Sequence, residues 1–125
     1  MARSQEKPRR KVSGGLYHFF RTKRRHELAG FSAQTKLSEK VKVNVKRGRG
    51  STIKRSLLSS KFINVADKKG KTVKTEILNV VENPANSNLV RRNIITKGAV
   101  VETKLGKVRV TSRPGQEGLV NGNLL

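Results

Sequence analysis

The chain has 125 residues, enough for one domain, and its hydrophobic fraction of 34% leaves room for only a small core. Its 29 Lys and Arg stand against 8 acidic residues, and the formal charge of +21 calls for an anionic partner. With no long apolar run that partner is nucleic acid rather than a membrane, and the lack of cysteine excludes a disulfide framework or a thiolate metal site.

Leu, Ile, Val and Phe number 6 in residues 1–36 and 28 in residues 37–125. So few apolar groups do not offset roughly 1–2 kcal/mol of backbone entropy per ordered residue. Residues 1–36 are therefore predicted to be an extended basic arm, disordered when free and ordered on its partner, and residues 37–125 the folded core. MARSQEKPRR lacks the apolar stretch of a secretory signal, which with the missing cysteine fits an intracellular protein. In the arm, Arg9, Arg10 and Lys11 form one cluster of cations, and Arg21, Lys23, Arg24 and Arg25 a second. Between them LYHFF carries Tyr17, His18, Phe19 and Phe20, which either stack on unpaired bases or dock the arm onto the core.

The decapeptide RTKRRHELAG contains His26-Glu27, the start of a zinc-protease helix motif H-E-x-x-H. The second histidine should stand at Gly30, and His18 lies eight residues upstream, so no metal set forms. Glu27 is expected to orient a neighbouring arginine, with His26 stacking or facing phosphate.

From Val41 the period is two. Val41, Val43 and Val45 alternate with Lys42 and Asn44, which predicts a half-buried strand with the valines on its inner face. A third basic cluster follows at Lys46, Arg47, Arg49, Lys54 and Arg55, interrupted by Gly48 and Gly50, which allow close approach to phosphates. Ile53 to Val65 reads as one bent strand or two, ADKKGK as a turn, and Thr72 to about Val81 as another strand. VENPANSNLVRRN predicts a helix of about two turns, with Asn83 or Asn86 as cap and Pro84 at its start. Then IITKGAVVETKLGKVRVTS predicts a strand and a hairpin with a three-residue loop Lys104–Gly106. RPGQEG reads as a turn that also holds Arg113, and Leu119-Val120 as a closing strand. Five to seven short strands with one short helix predict a mainly β fold, a small closed or nearly closed β-barrel.

Catalytic readings find little support. KGKT at residues 69–72 resembles the end of a phosphate-binding loop, but Val65 occupies the place of its first glycine, and a hairpin turn explains it better. Asp67 is the only aspartate and sits in a lysine-rich turn, which leaves no Ser-His-Asp relay. Three classes of function stay open on the residues alone: an RNA-binding structural protein, a DNA-binding chromatin-type protein, and an enzyme acting on RNA, the last disfavoured.

RTKRRHELAG, KVNVKRGRG and above all VENPANSNLVRRNIITKGAVVETKLGKVRVTSRPGQEG closely resemble the archaeal and eukaryotic family of small-ribosomal-subunit protein number eight, in its archaeal form. That family is unrelated to the bacterial protein of the same number. The likeness runs from about Gly14 to Val120, with one departure at Arg47-Gly48-Arg49-Gly50-Ser51, where the family reads R-G-G-N. The resemblance implies a non-catalytic component of the cytoplasmic ribosome, a monomer within it. Its partners would be small-subunit ribosomal RNA and neighbouring ribosomal proteins, with no cofactor, small-molecule substrate or membrane. The expected RNA-binding residues are Arg9, Arg10, Lys11, Tyr17, His18, Phe19, Arg21, Lys23, Arg24, Arg25, Lys46, Arg47, Arg49, Lys54, Arg55 and Arg113.

Overall fold

The structure is a computed structural model of the chain and describes residues 8–22, 24–27, 30–67 and 69–125. It divides into two compact units, Met1–Ser32 and Ala33–Leu125. In the first, residues 8–20 turn back on themselves through an isolated antiparallel bridge between Arg10 and Leu16. A single 3-10 turn follows at Arg25–Glu27. None of this unit's described residues is buried, as its scarcity of apolar side chains demands.

The second unit holds nine strands among its described residues: β1 Thr35–Leu37, β2 Lys42–Arg47, β3 Ile53–Ser60, β4 Phe62–Ala66, β5 Thr72–Glu82, β6 Ile94–Ile95, β7 Val100–Thr103, β8 Gly106–Val110 and β9 Asn121–Leu124. One short helix, α1, spans Pro114–Glu117. Strands β4, β5, β7, β8 and β9 close into a barrel, and β2, β3, β1 and β6 form a separate four-stranded sheet in that order. β1 opens the compact unit inside the segment assigned from composition to the arm. Thr35 Oγ1, buried, donates to the Leu57 carbonyl at 2.6 Å and so fastens β1 to β3.

Closure comes from β4 and β9, which pair in parallel, Asn64 to Asn121 through Ala66 to Asn123. A closed barrel leaves no edge to recruit another chain. Its interior is filled by Ile63, Val65, Ile77, Val80, Val101, Val108 and Val110, all at most 2% exposed, one or two from each long strand. Each such burial stabilises by about 1.5–3 kcal/mol. The space inside is tight at Gly122, where a Cβ would stand 2.5 Å from Val108 Cγ1 and 2.8 Å from the Arg109 carbonyl oxygen.

Several elements differ from the sequence expectation for identifiable reasons. Ile53–Val65 is two strands that break at Lys61, where the chain leaves the open sheet and enters the barrel. β2 is exposed along its whole length, Val43 and Val45 included. It lies at the outer edge of its sheet, and alternation decides which face a valine takes, not whether anything covers it. Val81 and Glu82 of VENPANSNLVRRN end β5, and the rest forms turns and one 3-10 turn, Ser87–Leu89, capped by Asn86, whose side chain accepts from the Asn88 amide at 2.9 Å. The cap signal holds, yet Asn93 turns to φ 49 and Ile94-Ile95 join β1 in the sheet, so no helix extends. The short helix lies instead in RPGQEG. Pro114 starts it and Gly118, at φ 73, ends it in the left-handed conformation. The β7–β8 loop has two residues, Lys104 and Leu105, because Gly106 already pairs with Thr103. The closing strand begins at Asn121, just after the buried Val120.

Candidate nucleic-acid interface

In the first unit the first cation cluster is built around a tight turn. The Lys11 amide donates to the Gly15 carbonyl at 2.7 Å, the Gly14 amide donates to the Lys11 carbonyl at 3.0 Å, and Gly14 takes φ 85. Arg10 reaches across this turn, its Nη1 donating to the Gly14 carbonyl at 2.8 Å. Lys11 Nζ lies 5.7 Å from the centre of the Tyr17 ring. Side chains that alternate cation and ring in this way match a nucleotide, which presents a phosphate and a planar base.

Tyr17, His18, Phe19, Arg21 and Thr22 line a concavity of about 580 Å³. Behind it, Glu27 organises the second cluster. Its carboxylate accepts from Arg21 Nη1 at 2.9 Å and Nη2 at 2.6 Å, and from the Arg24 backbone amide at 2.9 Å. His26 Nε2 lies 3.8 Å away. The two-pronged Arg21 hydrogen bond, then the Arg24 amide, hold the Glu27 pKa at about 2, below its ordinary 4.5. Glu27 is thus a positioning residue, and the expectation that it orients an arginine is met by Arg21. Arg24 and Arg25 are exposed beside this turn, and Lys23 lies outside the described residues.

Because the folded carboxylate resists protonation, its contribution is fully present above about pH 4.5 and is lost as pH falls through about 2. With the chain bound to RNA, an NMR titration of the Glu27 carboxyl is expected to show a midpoint well below the ordinary 4.5. A midpoint at the ordinary value would mean that the pair does not persist in solution.

In the second unit the third cluster collects on one hairpin, β2–β3. The register sets Lys46 opposite Lys54, Val45 opposite Arg55 and Arg47 opposite Ile53. At the tip the Gly48 amide donates to the Thr52 carbonyl at 2.7 Å, and Gly50 and Ser51 take φ 58 and 63, which leaves Arg49 at the apex. All five cations are exposed. Like charges directly opposite on one face of a ribbon destabilise it, and an anion bridging Lys46 and Lys54 reverses the sign. Arg113 joins this surroundings through α1, which packs against β3. The fit is close: a Cβ on Gly118 would stand 3.1 Å from Arg55 Cβ. The Arg113 side chain leans toward Glu117, with Nε 3.9 Å from Oε1.

Two cationic features escaped sequence reasoning. The β4–β5 turn, closed by the Asp67 amide donating to the Lys71 carbonyl at 2.9 Å, exposes Lys69 and Lys71. Lys68 lies outside the described residues. Its signal is present in ADKKGK, which reads as a lysine-rich turn and as a defective phosphate loop but not as a binding cluster. On the barrel wall, Lys61 and Lys104 converge on Glu76 at 3.7 and 2.9 Å. No sequence pattern announces this set, because strand pairing assembles it. Among the described residues no three His, Asp or Glu gather in a metal-binding arrangement, and no helix is long and apolar enough to cross a membrane.

Comparison with known proteins identifies a family. The family described as ribosomal protein S8e matches residues 4–125. The chain is similar to small ribosomal subunit protein eS8 of Methanococcus aeolicus, with 46% identity over 97% of this chain and 95% of that one. Its counterpart in Nanoarchaeum equitans is 43% identical over the same shares. The protein of that name from Staphylothermus marinus is 45% identical over 100% of this chain and 98% of its own.

Proposed function

The chain belongs to the ribosomal protein S8e family, and we propose that, as a structural, non-catalytic constituent of the small ribosomal subunit, it holds small-subunit rRNA through Arg and Lys contacts to phosphate. Its place of work is the ribosome of the cytoplasm. One observation carries the reading: the β2–β3 hairpin gathers six exposed cations, Lys42 and the five of the third cluster, with Lys46 facing Lys54 and no acidic residue among residues 41–55. Such a ribbon is matched to a polyanion rather than to itself. The shape of folded RNA, not base sequence, sets its position. The first unit supports the same reading, since its cations alternate with rings. In this reading residues through Ser32 order on the RNA, and the protein sits as one copy among other small-subunit proteins.

The experiment is binding of the purified protein to small-subunit rRNA at rising salt, with duplex DNA at equal phosphate concentration as competitor. A steep fall of affinity with salt and a preference for the folded RNA are expected. Amides of residues 8–32 should exchange freely without RNA and gain protection with it. An affinity indifferent to salt would sink the proposal, and preference for the duplex would favour a chromatin-type role.

A further inference from the structure

Phe62 is the one aromatic residue in the chain beyond residue 32, and it is not in the core. Along β4, Ile63 and Val65 fill the barrel while Phe62 remains 38% exposed on the outer wall. An exposed apolar side chain is ordinary by itself. Its surroundings are not. Two depressions meet at this ring, one of about 540 Å³ bordered by Lys74, Thr75 and Lys104, the other of about 300 Å³ bordered by Asn64 and Leu119. Both volumes fall in the range of small-ligand sites.

The chemistry around the ring is mixed in a specific way. Lys74 Nζ lies over it, 4.8 Å from its centre. Lys61 and Lys104 share the single carboxylate of Glu76, so three ammonium groups stand against one anion. Asn64 offers an amide edge, its Nδ2 donating to Asn121 Oδ1 at 3.0 Å.

Building on the RNA-binding reading, we infer that this wall is a nucleobase site, where an unpaired base of the bound RNA stacks on Phe62 and Lys74 leaves the ring to meet the nucleotide's phosphate. An apolar peptide segment fits less well, because covering the ring would also bury the Lys74 ammonium with only the shared Glu76 carboxylate as counter-charge nearby. A nucleotide supplies both a planar face and an anion. Asn64, on the same outer face of β4 as Phe62, then lies where a base edge presents donors and acceptors.

The chain contains no tryptophan, so Phe62→Trp in the whole chain installs its one tryptophan at the site. With isolated small-subunit rRNA as probe, its emission should fall by about half or more at saturation, as a stacked base quenches it. Phe62→Leu should bind about tenfold more weakly, the loss of one base–aromatic stack. Its salt slope should stay unchanged, because no charge is removed. Phe62→Tyr should bind like the parent. Saturation without any change in emission, or a leucine variant that binds as tightly as the parent, overturns the inference and leaves RNA binding standing. Failure of the parent chain itself to bind rRNA removes both. If the leucine variant does not fold, the tryptophan emission decides alone.

Discussion

With Lys46, Arg47, Arg49 and Lys54 replaced together by glutamine, affinity for small-subunit rRNA near 0.1 M salt is expected to fall on the order of 10²–10³-fold. These four side chains line one exposed ribbon, Lys46 paired with Lys54 and Arg47 two residues before the apex cation Arg49. Each phosphate contact contributes about 0.9 to the slope of log K against log salt, so the slope should flatten by about three to four. A folding defect would mimic weak binding, but the structure argues against one. Removing two like charges that face each other relieves repulsion, so the quadruple variant should melt at or slightly above the parent temperature. Affinity within threefold of the parent, at equal stability, would exclude this hairpin from the interface.

The second large effect concerns the barrel. Gly122→Ala is expected to cost about 3 kcal/mol, at the upper end of what overpacking a core costs. That is a fall in melting temperature of about 10 °C for a domain of this size. The obstruction is partly backbone, since the Arg109 carbonyl oxygen would lie 2.8 Å from the new carbon, with Val108 Cγ1 at 2.5 Å and Ile63 Cδ1 at 3.2 Å. Side chains can rotate away, but a paired strand cannot. Gly48→Ala is the matched control, with its nearest neighbour at 3.4 Å, and should change melting by only a few tenths of a kcal/mol. Equal melting of the two variants would show that the barrel has more room near β9 than its geometry gives.

The barrel was legible in the sequence because its strands carry their own signals: β-branched residues through β5 and β7, the alternating Val108 and Val110 of β8, and turn residues at Asp67–Gly70 and Lys104–Gly106. Family membership was legible too, since the resemblance stated from VENPANSNLVRRN and its sequel rests on long, specific runs. What escaped has a common cause, which is that it depends on pairing across distance. Val43 and Val45 read as core because their alternation is identical to that of Val108 and Val110, and only the sheet order puts them at an uncovered edge. The helix moved from Ser87 to Pro114 because tertiary pairing claimed Ile94-Ile95, while a proline and a left-handed glycine sufficed to close one turn elsewhere. Arg21 as the partner of Glu27 lies six residues away, outside any regular helical spacing, so the pair was foreseeable only in kind. Phe62 drew no notice, because its neighbours Lys74 and Lys104 are brought to it by β5 and the β7–β8 turn.

The parallel pairing of β4 with β9 also sets an order of events in synthesis. Asn64 waits for Asn121, 57 residues later, so the barrel cannot shut until almost the whole chain has been made. Contacts of such long sequence separation make folding slow. During that delay the cationic first unit and the β2–β3 hairpin have already emerged, whereas the edges of β4 and β8 lie open and prone to pair wrongly. Nascent chains are therefore able to engage polyanion before their own core is sealed, and the last strand acts as the latch that ends their exposure to aggregation.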